Sequence, residues 1–380
     1  MNNVQKYKRS IYMELTSCKK AYLILADGTV FEGKSFGAEG SVIGEIVFTT
    51  AMVGYQETLT DPSYCGQIVT QTFPLIGNYG VNSEDYESRG SVVSGYIVRE
   101  YCNEPSNFRC EDTIDNFLKK YGIIGLYDID TRRLTRIIRE SGVMNGMITN
   151  EPDLDKAKCL EQINAYTVGN VVPKVSVGAP EEYKADNAKY KVALIDYGYK
   201  HNIRRELLKR GCDVTVFPYN VTPEEIKAFA PDGIMLSNGP GDPADNKLSI
   251  ETLKALIPER IPTFGICLGH QLLALANGAK TVKMKYGHRG GNQPVTDLEL
   301  DRTFITSQNH GYAVVAESVP ASVGRVSHKN ANDGTCEGVR YTNAPAFTVQ
   351  FHPEACGGPQ DTAYLFDEFI ELIQKERGVR

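Results

Sequence analysis

Residues 265–271 read Gly265-Ile266-Cys267-Leu268-Gly269-His270-Gln271, and the organisation of the rest of the chain follows from them. The apolar run 261–266 is short enough to be a buried strand, and the run 272–276 is typical of a helix. A cysteine between a strand and a helix, with glycine two positions before it and two after it, has the form of a nucleophile elbow with Cys in place of Ser. We therefore predict that Cys267 is a catalytic nucleophile on a tight turn.

The flanking glycines and the following helix each have a physical role in this prediction. The turn strains the backbone at the nucleophile and requires neighbours without a Cβ atom. The helix start offers free N–H groups and the positive end of a dipole, which we expect to lower the pKa of the Cys267 thiol and to hold a developing oxyanion. The alternative is a buried core cysteine, as is common for an isolated Cys. The combination of strand, glycines and helix favours the elbow.

Short apolar segments and helical segments alternate through the second half of the chain. The strand candidates are 192–195, 214–217, 233–236 and 263–266, and the helix candidates are 203–210, 224–229 and 249–257. This alternation predicts an α/β fold with a doubly wound, mostly parallel sheet that is covered on both faces. Sites in such sheets lie at the carboxyl ends of strands, where we expect both Cys267 and the loop 237–243.

A β-rich region, 281–349, ends in a strand candidate that leads into His352-Pro353-Glu354. In an extended segment, residues two apart point to the same side, so Glu354 can orient the His352 imidazole as a base toward a thiol. Alone, a His-x-Glu triplet is usually structural; the elbow elsewhere in the chain gives it weight. An amphipathic helix is predicted at 361–375.

The first half, 21–172, is predicted to be a smaller β-rich α+β domain. It opens with a hairpin, 22–31, on an Asp27-Gly28 turn, and contains helix candidates at 113–121, 131–140 and 154–163. The stretch 28–35 fits the P-loop pattern, but its interior carries strand formers and no helix is predicted after it, so phosphate binding is not expected.

Two further segments complete the predicted division of the chain. Residues 173–190 are rich in Pro, Gly, Ser and mixed charge, and we interpret them as a linker before a catalytic domain at 191–380. Residues 1–20 are polar and basic and form an N-terminal extension. Either they are a disordered arm, or translation begins at Met13.

The bulk properties restrict the class of protein. A net charge of −6 without a long basic run argues against nucleic acid as a partner. No apolar stretch approaches the ~18 residues needed to span a membrane. Nine cysteines without paired spacing indicate a reducing cytoplasm and argue against disulfides or structural zinc. Among the other histidines, His270 is expected to be structural, and His201 and His288 to lie at the surface.

The elbow motif, followed 85 positions later by His352-Pro353-Glu354, resembles the class I, or triad, glutamine amidotransferases. The first half of the chain indicates which of the proteins with such a domain this chain resembles. Segments 48–57, 59–64, 130–136 and 307–312 are similar to the small chains of carbamoyl-phosphate synthase. The resemblance extends from about residue 21 to the C-terminus and leaves 1–20 outside.

The resemblance implies that L-glutamine is hydrolysed to glutamate and ammonia, with Cys267 as nucleophile, His352 as base and Glu354 as its orienter. It implies that the backbone N–H groups of Gly239 and Leu268 form the oxyanion hole. The implied glutamine-binding residues are Ala51, Gly239, Gly241, Leu268, Gln271, Asn309, Gly311 and Tyr312. Some members carry Ser where Ala51 stands, so only the backbone can serve here, and Tyr312 stands where Phe is also found.

The resemblance also implies a partner. A large chain would receive the ammonia and use ATP, magnesium and bicarbonate to make carbamoyl phosphate for arginine and pyrimidine synthesis, as a heterodimer or a tetramer of heterodimers. This chain itself would need no cofactor or metal. A glutaminase of an anthranilate or guanylate synthase lacks such a first half. A non-catalytic regulatory scaffold would usually have lost Cys, His or Glu, and all three are present.

Overall fold

The computed structural model describes residues 19–151 and 155–379. The predicted extension 1–20 therefore lies outside the described residues except for its last two positions. The helices are α1 Tyr55–Thr60, α2 Ile114–Lys120, α3 Thr131–Ser141, α4 Lys156–Ala165, α5 Val172–Val175, α6 His201–Lys209, α7 Pro223–Phe229, α8 Lys247–Leu256, α9 Leu268–Ala276 and α10 Tyr364–Val379. Short 3-10 turns lie at Pro62–Tyr64, Pro243–Asp245, Ile257–Glu259 and Ala316–Ser318.

The predicted strands 192–195 and 214–217 are longer in the structure, and those at 233–236 and 263–266 have the predicted bounds. The described strands form a barrel, a large sheet and a short two-stranded sheet. Their bounds are β1 Lys20–Leu25, β2 Val30–Gly37, β3 Ser41–Thr49, β4 Gln67–Gln71, β5 Leu75–Ile76, β6 Gly95–Ile97, β7 Glu100–Tyr101, β8 Ile124–Tyr127, β9 Met144–Thr149, β10 Glu181–Tyr183, β11 Tyr190–Asp196, β12 Cys212–Pro218, β13 Gly233–Leu236, β14 Thr263–Ile266, β15 Thr281–Asp297, β16 Arg302–Val314, β17 Gly324–Asn330, β18 Cys336–Tyr341 and β19 Ala346–Val349.

The chain forms two compact units. One contains the described residues up to Phe48 together with Gly66–Glu84 and Val93–Thr167, and the other contains Thr49–Cys65, Asp85–Val92 and the chain from Val168 onward. This division differs from the predicted one, because two segments of the first half belong to the second unit. The expected linker also lies in the second unit: β10 pairs with β12, and Val177 is buried in a core of that unit. The few apolar residues of segment 173–190, such as Val177, are enough to pack it against the core of the second unit.

The first unit is built on a closed barrel with the strand order β1-β2-β8-β6-β4-β3-β9. The predicted hairpin forms, with Gly28 at φ 85 in its turn, where a residue with a Cβ atom would be strained. The P-loop pattern 28–35 therefore folds as that turn and most of β2, and no helix follows it. Helix α3 buries Leu134 and Ile138 against the barrel core and leaves its arginines at the surface.

The second unit is built on one large sheet. Strands β12, β11, β13, β14 and β19 are parallel, and β18, β16, β15 and β17 continue the sheet with antiparallel pairings. The parallel strands are apolar on both faces because helices cover both. In β11, Ala193 and Ile195 pack in the core with α8 and α9, while Val192 and Leu194 pack in the core with α6 and α10. The predicted doubly wound sheet is therefore confirmed as the centre of this unit.

Candidate active site

Cys267 lies between β14 and α9 with φ 53 and ψ −103, a conformation that L-residues rarely adopt. The two flanking glycines are required by packing. A Cβ atom on Gly269 would come within 2.5 Å of the Leu236 carbonyl oxygen, and one on Gly265 within 2.8 Å of Thr348 Cγ2. The predicted strained strand–cysteine–helix turn is confirmed.

His352 and Glu354 follow β19, the parallel neighbour of β14, and each is 1% exposed. The His352 Nδ1–H donates a 2.7 Å hydrogen bond to Glu354 Oε1. The neutral imidazole therefore carries its lone pair on Nε2, the nitrogen that a base would use. Nε2 is buried and forms no hydrogen bond with any residue that the structure describes. This hydrogen bond is the contact that an orienting carboxylate would make; the role of His352 as base stays a prediction.

The Cys267 thiol is buried and makes a long hydrogen bond, 3.8 Å, to the Asn309 carbonyl oxygen. Burial raises its pKa to about 12, and the Asp61 carboxylate adds to this, while Lys200 and the Leu268 N–H act in the opposite direction. The helix start does act to lower this pKa, through the Leu268 N–H, but the expected net lowering is wrong because desolvation of the thiolate outweighs it. The resting nucleophile is therefore a thiol, and its attack requires a base.

Lys200, in the loop after β11, lies inside a cluster of buried carboxylates. Its Nζ is 3.6 Å from Glu354 Oε1, 3.7 Å from Asp61 Oδ2 and 3.9 Å from Glu87 Oε2. Burial lowers the pKa of the Lys200 ammonium, but the three carboxylates outweigh it and the net shift is upward. A charged lysine is thus held at the carboxyl edge of the sheet, next to the group that orients His352.

The three carboxylates differ in their protonation. Burial alone would raise the pKa of Asp61 and of Glu354, but Lys200 and His352 outweigh it and both pKa values fall below the usual range. For Glu87, burial prevails over Lys200 and raises the pKa to about 7, with Glu354 and Asp61 adding to the shift. Asp61 and Glu354 are therefore ionised at neutral pH, whereas Glu87 titrates there.

A cavity of the second unit adjoins this cluster. Ala51, Asn309 and His352, three of the predicted site residues, line it, as do Lys200 and Glu87. Asn309 connects the cavity to the nucleophile, because its carbonyl accepts from Cys267 while its amide donates 3.0 Å to Asp61 Oδ2. The cavity lies beside the buried thiol and carries both a cation and carboxylates, so it suits a small polar, charged ligand.

The other predicted site residues are not among those that line this cavity in the described part of the chain, and contacts with the elbow helix are seen for Gly239 and Tyr312. A Cβ atom on Gly239 would come within 2.8 Å of Leu268 Cδ2, so the two predicted oxyanion donors are on neighbouring segments. Gln271 Nε2 donates 2.8 Å to the Tyr312 carbonyl, which ties α9 to β16. Gly241 and Gly311 are half-buried on these same segments.

The loop that presents Ala51 is fastened to β15. Thr50 Oγ1 lies 3.1 Å from the Arg289 carbonyl oxygen and 2.9 Å from Asn292 Oδ1. The Thr50 hydroxyl donates to these two oxygens, its one proton serving either of them, and the Thr50 N–H donates 3.3 Å to the same Arg289 carbonyl. Gly290, at φ 132, passes so close that a Cβ atom would lie 2.5 Å from Thr50 Oγ1 and 3.3 Å from the Ala51 nitrogen. The position of the Ala51 N–H is set by this contact.

Sequence reasoning missed Lys200, Asp61 and Glu87 as site residues. Lys200 could have been suspected, because it follows a parallel strand at the carboxyl edge of the sheet. The prediction that His288 lies at the surface is wrong: it is 7% exposed, and His201 is half-buried. His270 is buried in the core, with Nδ1 2.8 Å from Thr348 Oγ1, and burial lowers its pKa to about 3, so it does not serve as the base.

Two family comparisons cover most of the chain. Residues 193–372 match the family described as Glutamine amidotransferase class-I. Residues 23–148 match the family described as Carbamoyl-phosphate synthase small chain, CPSase domain. The two matches follow one another along the sequence without overlap.

Individual relatives match nearly the whole chain. The carbamoyl phosphate synthase small chain of Bacillus cereus is 54% identical over 93% of this chain and 96% of its own length. The small chain of Bacillus caldolyticus is 52% identical over 94% of this chain and 97% of its own length. The small chain of Fusobacterium nucleatum is 52% identical over 92% of this chain and 97% of its own length. Among solved structures, a glutamine amidotransferase from Thermotoga maritima can be superposed on 49% of this chain and 85% of its own length. The sequence identity is 18% and the TM-score is 0.36.

Proposed function

Because the chain belongs to the family of carbamoyl-phosphate synthase small chains, we propose that Cys267, His352 and Glu354 hydrolyse L-glutamine and that the ammonia passes to a large chain. The family gives this chain the role of a glutaminase subunit with a class I glutamine amidotransferase domain, a large-chain partner and glutamine as substrate. The triad, the ammonia transfer and the pathways are our proposal.

The observation that carries the proposal is the buried His352–Glu354 pair, which follows the strand next to the elbow strand. In the first step, Cys267 Sγ attacks the carboxamide carbon of glutamine while the thiol proton moves to His352 Nε2. The negative oxygen of the tetrahedral intermediate is held by the N–H groups of Gly239 and Leu268. His352 then returns the proton to the leaving nitrogen, and ammonia departs from a glutamyl thioester.

The second half of the reaction restores the enzyme. A water molecule attacks the thioester, with His352 as base, and glutamate leaves as the proton returns to Cys267. Glu354 stabilises the imidazolium in both halves, which requires that it be ionised; its lowered pKa supports this. The thiol must stay reduced, so a reducing cytoplasm is the proposed compartment. The eight cysteines in the described part of the chain are free thiols.

Glutamine recognition is assigned to the residues around the cavity. The Ala51 backbone, Asn309 and the segments of Gly241, Gln271, Gly311 and Tyr312 surround the substrate in this proposal. The ammonia is used by the large chain, which consumes bicarbonate and ATP, with magnesium bound to the ATP, to make carbamoyl phosphate for arginine and pyrimidine synthesis. In this proposal, no step of the glutamine hydrolysis uses a cofactor. None of the helices that the structure describes has the length and apolar character to cross a bilayer.

The proposed glutamyl thioester on Cys267 can be detected directly. The chain, in complex with its large chain, is mixed with glutamine, quenched in acid and digested, and the peptides are examined by mass spectrometry. We expect a glutamyl group on the peptide that contains Cys267. The matched control is Cys356→Ser, which removes the other thiol at this site, one that lines the cavity; it should keep the adduct, whereas Cys267→Ser should lose it. Glutamate release without any adduct on Cys267 would contradict the proposed nucleophile.

A further inference from the structure

A second cluster of potential ligands lies in the antiparallel part of the sheet. His288 on β15, His310 on β16 and Glu337 on β18 are 7%, 5% and 0% exposed. One ligand atom from each lies within 4.8 Å of the others. Their positions in the sequence, 288, 310 and 337, follow no metal-binding spacing, and the expectation of no structural zinc rested on the cysteines alone.

Each histidine has its outer nitrogen held by an acceptor. His288 Nε2–H donates 2.8 Å to Asp333 Oδ2, and His310 Nδ1–H donates 2.7 Å to the Tyr312 carbonyl. The lone pairs of neutral imidazoles are therefore on His288 Nδ1 and His310 Nε2, which face the cluster. Metal-binding histidines are oriented in this way, with the far N–H given to a carboxylate or a backbone carbonyl.

Hydrogen bonding alone leaves a conflict inside the cluster. Gln308 Oε1 lies 2.9 Å from His310 Nε2, so two acceptors face each other. Turning the amide over would move the conflict, because its nitrogen now donates 3.1 Å to Glu337 Oε2 and its oxygen would take that place. A positive centre among these groups removes the conflict.

We propose that His288 Nδ1, His310 Nε2 and Glu337 Oε1 bind one divalent transition-metal ion of the zinc class, with Gln308 Oε1 or water as a fourth ligand. Two imidazoles and one carboxylate suit Zn²⁺ and Co²⁺ rather than Mg²⁺ or Ca²⁺. Tetrahedral ligands at about 2.0–2.1 Å from zinc are separated by about 3.3 Å. His288 Nδ1 and Glu337 Oε1 are 3.3 Å apart.

The site is distinct from the triad and has a structural consequence for it. The ligand His310 is adjacent to Asn309, whose carbonyl accepts from Cys267. A metal that joins β15, β16 and β18 would fix the strand that presents Asn309, without entering the reaction. Asp333, whose side chain is 43% exposed, places the cluster within reach of solvent.

The test is a titration of the chelator-treated full chain with Co²⁺, followed by its visible ligand-field absorption and by calorimetry. We expect one ion per chain, displaced by Zn²⁺, with no sulfur-to-metal charge-transfer band, since thiols take no part. Glu337→Gln and His288→Ala should each weaken binding at least about tenfold, and Asp333→Asn, at the rim, by about 10- to 100-fold. His201→Ala removes a histidine outside the cluster and should bind as the wild type does.

Metal should also raise the Tm of the wild type and not that of Glu337→Gln. Asp333→Asn keeps the test valid if the buried variants do not fold, because its side chain is partly exposed. The proposal is overturned if the wild type takes up no stoichiometric Co²⁺ or Zn²⁺, which would mean that a proton resolves the conflict. It is also overturned if the His288, Asp333 and Glu337 variants bind as tightly as the His201 control.

Discussion

Lys200 Nζ lies 3.6 Å from Glu354 Oε1, the same oxygen that accepts the hydrogen bond of His352. Lys200 and His352 therefore share one buried carboxylate oxygen. Lys200 and His352 together hold the pKa of Glu354 below its ordinary value despite burial. The carboxylate is thus ionised before glutamine arrives, as an orienter of the imidazole must be.

Glu354→Gln tests this arrangement. The amide keeps the shape but loses the charge that stabilises the imidazolium, so we expect kcat for glutamine hydrolysis to fall by about 10²-fold or more with a smaller change in KM. Glu87→Gln removes another carboxylate next to Lys200 and leaves the His352–Glu354 bond in place, so it serves as the matched control. Steady-state glutamate release measures both. Equal kcat in Glu354→Gln and the wild type would remove Glu354 from the mechanism.

Glu87 should make stability depend on pH. Its folded pKa is about 7, against an ordinary 4.5. Between these values the folded chain binds more protons than the unfolded chain, so this residue makes stability fall as pH rises from about 4.5 to 7, with no further change above. Over this pH range, the contribution of Glu87 to the free energy of unfolding changes by at most about 3 kcal/mol.

The measurement compares wild type and Glu87→Gln in chemical unfolding at several pH values. The variant has no carboxyl to ionise, so the wild type should lose stability relative to it across this window. Parallel pH profiles for the two proteins would show that Glu87 is not the titrating group. Comparing differences cancels the contribution of the other ionisable groups.

Gly290 and Gly291 form a matched pair for the Ala51 loop. A Cβ atom on Gly290 would press on Thr50 and on the Ala51 nitrogen, whereas the nearest atoms to one on Gly291 are 3.7 Å away. Gly290→Ala should therefore raise KM for glutamine by about tenfold, the equivalent of one lost hydrogen bond to a charged group, with a smaller change in kcat.

Gly291→Ala should leave both constants near those of the wild type. Thr50→Val should resemble Gly290→Ala, and Thr50→Ser, which keeps the hydroxyl, should not. Kinetics with varied glutamine measure all four variants. If the two glycine variants behave alike, the close approach at Gly290 does not position the substrate.

Much of the parallel sheet was predictable because its signals are local. The bounds of β13 and β14 agree with prediction to the residue, since short apolar runs with glycine at their edges have few other solutions. The elbow and the His352–Glu354 contact were predictable for the same reason: each is defined by residues within a few positions of one another.

The remaining features depend on contacts between distant parts of the chain. Asp61, Glu87 and Lys200 meet only after folding, so no spacing reveals the charge cluster, and the same holds for His288, His310 and Glu337. The raised pKa of Cys267 arises from burial, which the local helix start does not report. Helix α1 was hidden in a polar stretch because its burial comes from tertiary packing.

Cys267→Ser in the reconstituted complex with the large chain tests the central claim most directly. The hydroxyl has nearly the shape of the thiol, so folding and assembly should be kept, but a base matched to a thiol activates it poorly. Carbamoyl phosphate synthesis is measured with glutamine and, separately, with ammonium chloride. We expect synthesis from glutamine to fall by several orders of magnitude and synthesis from ammonium to remain. The Cys356→Ser control should keep both activities. Retained glutamine-dependent synthesis, or loss of both activities in an intact complex, would contradict the proposed division of labour.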